Sequence, residues 1–221
     1  MSTAVPSSAE IEDQKVVSRR GTPTWEMAYM YPRQGQWTEE EYLALDTGRL
    51  IEFTDGCLEF LPMPTLSHQF ILEFLFDQLR AFLKQSGTPG RASFAPVPVR
   101  LWKDRYREPD LFYLRPERLR KNLKYPDGVD LAMEIVSGGD EDRKRDLETK
   151  PQEYAEAGIS EYWIVDPERR TITVLILDGN AYRVHGEFGA GQTATSVLLD
   201  GFAVSVDGTF AAGEELEPPK E

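Results

Sequence analysis

The longest run of regularly spaced hydrophobic positions lies in residues 65–85. Apolar side chains recur there every three or four residues, at Phe70, Ile71, Phe74, Leu75, Leu79, Phe82 and Leu83. This spacing forms one broad apolar face and predicts the principal core helix, which the following Gly87 ends. Thr38 and Glu41 have the spacing of a capping box, so we also predict a short helix from there to about Asp46.

Shorter apolar or alternating segments predict the strands. Two hairpins are expected where such segments flank Asp55-Gly56 and Asp178-Gly179-Asn180, because Asp-Gly favours the tight turns that join antiparallel strands. Further strands are predicted at residues 96–101, 110–114, 129–136 and 161–165, with a polar turn at residues 103–107.

A helix that ends at Gly158 is predicted between the last two of these strands. Strand, helix and strand in this order are typical of a right-handed crossover between parallel strands. The element order therefore predicts an α/β fold: a mixed central β-sheet flanked by helices, with an N-terminal helix and β-hairpin before it. We expect a flexible lead at residues 1–24, a single domain at 25–210 and a flexible acidic tail at 211–221.

Composition narrows the possible classes of protein. The chain carries 25 Lys and Arg against 38 Asp and Glu, a formal net charge of −13, which disfavours tight nonspecific binding to a polyphosphate. With one cysteine, Cys57, no intrachain disulfide framework can form, and two histidines cannot complete a zinc finger. The chain shows no membrane-spanning run and no export signal at its first residues, so we expect a cytoplasmic protein without a membrane partner.

Three acidic residues interrupt predicted strands, at Glu52, Asp110 and Glu134. A carboxylate inside an apolar run is costly to bury, although one such acid alone is usually salt-bridged. Two carboxylates and a backbone carbonyl, here that of Ile135, form an oxygen-only site of the kind that binds Mg²⁺ or Mn²⁺. Lys150 follows the third acidic strand, where it could orient a water molecule or stabilise charge on a phosphoryl oxygen.

Several segments resemble the Uma-type putative restriction endonuclease family of the PD-(D/E)XK nuclease superfamily. The matching segments are residues 42–45, 51–56, 109–111, 133–137 and 146–167, and the most specific part is residues 154–167, from Tyr154 to Pro167. The resemblance spans residues 37–206 and implies a restriction-endonuclease-like core with a divalent metal site.

The resemblance also implies roles for individual residues. Glu52 matches the acid of the first hairpin, Asp110 the aspartate of the PD motif, and Glu134 the acid of the (D/E)XK strand. Val136 stands where the superfamily motif has its lysine, and the Uma-type pattern takes that lysine from the next helix, at Lys150. Asp146 and Tyr154 also match and are expected to support the site.

Some residues depart from the family pattern, and these departures leave alternatives open for the lysine of the site and for the surrounding residues. Residues 137–142 form a flexible acidic linker where related sequences continue with Ser-Pro, and Pro151 disfavours helical geometry at Lys150. The helix would then begin later, with Thr149 as its cap, and Lys144 would compete for the role of the lysine. His68 could lie near the acids or cap the long helix. Basic residues at 143–145 and 115–124 fit phosphate contacts and solvated helix faces equally well.

The sequence thus predicts a metal-dependent endonuclease acting on DNA. Asp110, Glu134 and the Ile135 carbonyl would hold the metal, with Glu52 completing the shell or holding a second metal ion or a water. We expect a homodimer, because cutting both strands of a duplex commonly requires two sites. The alternative is a non-catalytic nucleic-acid-binding or dimerising module that retains the nuclease fold.

Overall fold

The computed structural model describes residues 31–45, 49–119 and 124–214. The predicted lead at residues 1–24, and residues 215–221 of the predicted tail, lie outside the described part. The described α-helices are α1 (Glu39–Leu43), α2 (Leu66–Ser86), α3 (Asp140–Lys144), α4 (Lys150–Glu156) and α5 (Val206–Glu214). A 3₁₀ turn (Pro116–Arg118) and a π-helical turn (Arg145–Thr149) accompany them. Helix α5 thus continues past residue 210, the expected end of the domain.

The strands occur in two main sheets and a ribbon. They are β1 (Ile51–Thr54), β2 (Cys57–Phe60), β3 (Arg91–Phe94), β4 (Val99–Trp102), β5 (Arg105–Arg107), β6 (Leu111–Leu114), β7 (Leu131–Ile135), β8 (Glu161–Asp166), β9 (Thr171–Asp178), β10 (Ala181–Phe188), β11 (Thr193–Thr195) and β12 (Ala203–Ser205). The central sheet has the order β10-β9-β8-β7-β6-β3, the second sheet β2-β1-β5-β4, and β11 pairs with β12.

The central sheet is mixed and flanked by helices, as predicted. Strands β7 and β8 are parallel and joined through α4, whereas the other neighbours in this sheet are antiparallel. One face packs against α2, whose buried side chains are Ile71, Leu72, Leu75 and Leu79. The opposite face packs against α4 through Tyr154. None of the helices in the described ranges is long and apolar enough to cross a membrane.

Local signals form several elements as expected. Gly87 ends α2 in a left-handed conformation, and Thr38 and Glu41 form the predicted capping box of α1. The side chain that caps α2 is that of Thr65, which accepts from the N–H of His68. Asp55 and Gly56 both adopt positive φ between β1 and β2, which is the geometry of the predicted tight turn.

The predicted polar turn at residues 103–107 is wrong beyond Asp104. Residues Arg105–Arg107 form strand β5, which pairs with both β1 and β4. Tyr106 is fully buried in the small core of the second sheet, while the guanidinium of Arg107 is paired with carboxylates from distant elements. Strand β3, which pairs with β6, was also not predicted.

The predicted break before Lys150 is wrong as well. Helical backbone continues from α3 through the π-helical turn into α4, and Lys150 has φ −59° and ψ −40°. Its N–H donates to the carbonyl of Arg145, five residues earlier, so the wider turn precedes Pro151. Thr149 is helical and makes no capping bond. The expected acidic linker likewise becomes helix α3 from Asp140 onward.

Candidate active site

Strand register brings Asp110 and Glu134 together. Leu111 of β6 pairs with Met133 of β7 in an antiparallel ladder, so one further step places Asp110 opposite Glu134. The backbone N–H of Ile135 donates to Asp110 Oδ2 at 2.7 Å. Two acids separated by 24 positions in sequence (134 − 110) therefore meet at one point of the central sheet.

Glu134 is held from one side. The hydroxyl of Tyr154 donates to its Oε1 at 2.6 Å, and Lys150 Nζ lies 2.9 Å from the same oxygen. In the described part of the chain no hydrogen bond is made to Glu134 Oε2, so this oxygen is available to a ligand. The side chain is only 3% exposed.

Asp110 has the same asymmetry. Its Oδ2 accepts from Ile135 and lies 3.2 Å from His68 Nε2, which must carry the proton because a carboxylate only accepts. Burial lowers the pKa of His68, but the hydrogen bond and charge of Asp110 outweigh burial and raise it overall. Among the described residues Asp110 Oδ1 has no hydrogen-bond partner, and His68 Nδ1 is buried without one.

Lys150 lies at the centre of the charged cluster. It is 2% exposed, and its Nζ is 3.3 Å from Asp146 Oδ1 and 3.6 Å from Glu52 Oε1, in addition to its contact with Glu134. Burial alone lowers the pKa of the ammonium group, but the surrounding carboxylates, above all Glu134, raise it well above its usual value. Lys150 is therefore a permanently charged group at neutral pH.

Glu52 lies behind this lysine. Its Oε2 accepts from Arg107 at 3.0 Å and its Oε1 accepts from the N–H of Glu108 at 3.2 Å. Burial raises the pKa of Glu52, but Lys150 and Arg107 lower it more, so the carboxylate stays ionised. Arg107 is fixed in turn by two hydrogen bonds to Glu153. Glu52 is fully buried and orients cations rather than facing the open part of the site.

A cavity of about 240 Å³ opens beside the two acids. Its polar lining includes two arginines and several titratable side chains that surround the acids, namely Arg49, His68, Glu108, Asp110, Glu134, Arg145, Asp146 and Lys150, and its apolar lining includes Pro62, Met63 and Pro64. Glu52 is not among its lining residues. Glu108 is a functional candidate that the sequence analysis missed, although its position two residues before Asp110 on the same segment could have indicated it.

The carboxylates are too close together to be ionised without cost. Burial and then the charge of Asp110, partly offset by Lys150, raise the pKa of Glu134, and burial raises that of Asp146 despite Lys150 and Arg145. Burial and the charge of Glu52 raise the pKa of Glu108 to about 7. An additional positive charge in the cavity would relieve this repulsion.

The donor atoms fit a hard divalent cation. Asp110 and Glu134 each have one oxygen that accepts no hydrogen bond from the residues described by the structure, and both line the same cavity. No group of three or more His, Cys, Asp or Glu side chains forms a preformed metal site within the described residues. Mg²⁺ commonly binds through one or two protein carboxylates and completes its shell with waters and substrate phosphate oxygens, which matches this arrangement.

Of the basic candidates at residues 143–145, Arg145 lines the cavity and is paired with Glu59 and Asp142. Lys144 is exposed, so Lys150 is the lysine that meets the acids. Arg143 forms ion pairs with Asp166 and Glu168, and Arg118 with Asp130. Arg120 and Lys121 of the second basic segment lie outside the described residues. Cys57 is an exposed free thiol.

This mixed sheet, with its two acids beside a buried lysine, is a restriction-endonuclease-like α/β fold. The chain belongs to the Uma2 family, described as putative restriction endonucleases, whose model matches residues 39–207.

The crystal structure of a putative nuclease belonging to DUF820 from Anabaena variabilis ATCC 29413 has a similar fold. The TM-score is 0.66 at 18% sequence identity, over 80% of this chain and 99% of that one. No curated protein sequence matches the chain.

Proposed function

We propose that this protein is a metal-dependent endonuclease that hydrolyses phosphodiester bonds in DNA. The observation that carries the proposal is the meeting of Asp110, Glu134 and Lys150 on one wall of the same cavity. Membership of a family described as putative restriction endonucleases supports the same reaction class.

The residues that would hold Mg²⁺ or Mn²⁺ are Asp110 through Oδ1 and Glu134 through Oε2, with the carbonyl of Ile135 as a third donor. Such an ion, when bound, makes a water molecule more acidic and polarises the scissile phosphate. Tyr154 and Ile135 fix the rotamers of the two acids by hydrogen bonds to their other oxygens.

Lys150 would act on the phosphate rather than on the metal. Its ammonium group stays protonated, so it stabilises the negative charge that develops on a phosphoryl oxygen during attack by water. Glu52 and Asp146 hold the ammonium group in place from behind. In this assignment Glu52 positions Lys150, and the contacts of both its oxygens leave the metal to Asp110 and Glu134.

Plasmid nicking in the presence of Mg²⁺ or Mn²⁺ tests the proposal. We expect the wild type to nick supercoiled plasmid and Asp110→Ala to lose this activity. Asp178→Ala, which removes an exposed carboxylate at the turn between β9 and β10, is the matched control and should retain full activity. Equal nicking by wild type and Asp110→Ala would refute the site assignment.

The proposal includes a homodimer, since a double-strand break requires attack on two strands. Sedimentation velocity checks the assembly, and a monomer that makes only single-strand nicks would remove this part of the proposal.

A further inference from the structure

An exposed methionine stands at the edge of the candidate active site. Residues 61–65, here called the Met63 loop, join β2 to α2 and read Leu-Pro-Met-Pro-Thr. Met63 is 85% exposed, although an apolar side chain gains by burial. Each proline fixes its own φ and restricts the residue before it, so the loop presents Met63 with little freedom left in its backbone.

The Met63 loop lines two adjoining cavities. The first is the 240 Å³ cavity that contains Asp110 and Glu134. The second, of about 670 Å³, is lined by Gly138, Gly139 and Arg143. Both cavities share Pro62, Met63, Pro64, Ile135 and Ser137 among their lining residues, so they adjoin at the Met63 loop and form one cleft with Met63 at its edge.

Arg49, Arg143 and Arg145 line this cleft, and the guanidinium groups of Arg143 and Arg145 are already paired with carboxylates. Arg143 pairs with Asp166 at 2.7 Å and with Glu168 at 2.9 Å. Arg145 pairs with Asp142 at 2.8 Å and with Glu59 at 3.0 Å. Together with the net charge of −13, this pairing weakens the phosphate contacts that dominate binding to duplex DNA. Apolar contact with bases must therefore supply a larger part of the binding free energy.

Bases are accessible to such a contact only where they are unstacked. Proteins insert methionine, leucine and proline between base steps that they unstack, and bases taken out of the stack pack between aromatic or apolar side chains. The reactive groups are also recessed, since Glu134 is 3% and Lys150 2% exposed. A flexible strand can enter a narrow cleft at the cost of ordering alone, whereas a duplex must first be unpaired.

We propose that the preferred substrate of this site is DNA in a single-stranded state, either a free strand or an unpaired stretch of a supercoiled plasmid, and that Met63 packs on a base next to the scissile phosphate. This inference rests on the proposed endonuclease function and specifies its substrate. Met63 is a substrate-binding residue in this scheme, with the strand running through both cavities and its phosphate beside Asp110 and Glu134.

Cleavage of a labelled single strand and of the same strand annealed to its complement, with Mn²⁺, tests the substrate class. We expect kcat/KM on the single strand to exceed that on the duplex by about tenfold or more, because unpairing costs a few kcal/mol. Met63→Ala should lower kcat/KM on the single strand about fivefold to tenfold, the effect of losing one base contact, and Met63→Leu should restore most of it.

The base contact itself is tested with abasic strands. An abasic residue next to the mapped cut should lower kcat/KM by the same factor as Met63→Ala, and combining the two should cost no more than either alone. Val184→Ala is the matched control: it truncates another apolar side chain, 60% exposed on β10, which lines neither cavity. Its kinetics should equal those of the wild type.

The outcomes separate the two proposals. No cleavage of either substrate by the wild type would refute the endonuclease function itself, and cleavage by Asp110→Ala at the wild-type rate would refute the assignment of the site. If Asp110→Ala is inactive but the wild type cuts duplex as fast as single strand, or Met63→Ala cuts the single strand normally, only the inference about Met63 is overturned. A change of oligomeric state in Met63→Ala, without any effect of the abasic residue, would also overturn it and identify a protein interface.

Discussion

Replacing Lys150 by methionine should destabilise the protein and reveal the charge state of its site. Methionine keeps most of the apolar stem but leaves three carboxylates, those of Glu134, Asp146 and Glu52, without their shared cation. At the observed separations the Coulomb attraction between Lys150 and each carboxylate is about 5 kcal/mol for an effective dielectric constant near 20. Burying the charges opposes this attraction with a desolvation cost of several kcal/mol.

The net loss expected from removing one member of such a buried cluster is about 3–5 kcal/mol. For a chain of this size this corresponds to a decrease in Tm of roughly 6 to 20 °C. Differential scanning calorimetry at pH 7, with a urea titration to compare m-values, measures the change. A Tm within about 2 °C of the wild type would refute the reasoning, because it would mean that the carboxylates do not depend on Lys150.

The loss of stability in Lys150→Met should depend on pH in a defined direction. The folded-state pKa of Glu134 lies above its unfolded value, so its contribution to stability is present below the unfolded pKa and lost as pH rises through the folded pKa. Removing Lys150 raises the folded pKa further. The stability difference between Lys150→Met and wild type should therefore be largest above neutral pH and shrink as pH falls toward about 5.

A second substitution separates stability from catalysis. Adding Glu134→Gln to Lys150→Met removes one of the unpaired charges and should recover much of the lost Tm. The double variant should nevertheless remain inactive in plasmid nicking, because both proposed functional groups are gone. Recovery of cleavage together with stability would contradict the role given to Lys150.

Three further changes are expected to act locally. Asp166→Asn should lower the free energy of unfolding, measured by urea titration, by about 2 kcal/mol, because burial raises the pKa of Asp166 but hydrogen bonds from Arg143 and backbone N–H groups lower it overall. The difference in stability between variant and wild type should disappear as pH falls through the folded-state pKa of Asp166, and a full difference that persists in acid would contradict this prediction. Gly56→Ala should lower the free energy of unfolding by at least about 2 kcal/mol, because φ of Gly56 is +81° and a Cβ there would lie 2.8 Å from the backbone of Gly35. An unchanged Tm would refute the turn geometry. Tyr154→Phe removes the hydroxyl bonded to Glu134 and should lower kcat about tenfold with KM unchanged, whereas a loss confined to KM would argue against a positioning role.

Local sequence signals predict the elements that position the site. The Asp-Gly turn specifies the first hairpin because both residues tolerate positive φ, and Thr65 and Gly87 mark the ends of α2. The resemblance also indicated Lys150 as the lysine that meets Glu134. The predictions of the turn and of the helix ends depend on short-range spacing, which a single sequence displays directly, whereas that of Lys150 depends on the resemblance.

The missed features depend on contacts between distant segments. Residues Arg105–Arg107 look like a polar turn because the partners of Arg107, Glu52 and Glu153, are about 50 positions away on either side. Glu108 lies two residues before Asp110 in the sequence, but its contact with the buried charges and its place in the cavity wall depend on the folded sheet. The continuation of the helix to Pro151 required a π-helical turn, for which the sequence contains no simple periodic signal.

The central claim is that Asp110 and Glu134 together hold a divalent cation. A thermal-shift titration with Mn²⁺ and Mg²⁺ of the wild type, Asp110→Ala and Glu134→Ala tests it most directly, with Asp178→Ala as control. At ten times Kd a bound ion adds about 1.4 kcal/mol, which should raise Tm by about 3 to 6 °C in the wild type and control. Loss of this shift in both site variants is the predicted result; an equal shift in all four proteins, or none at millimolar metal, would contradict the claim and favour a non-catalytic module with a nuclease fold.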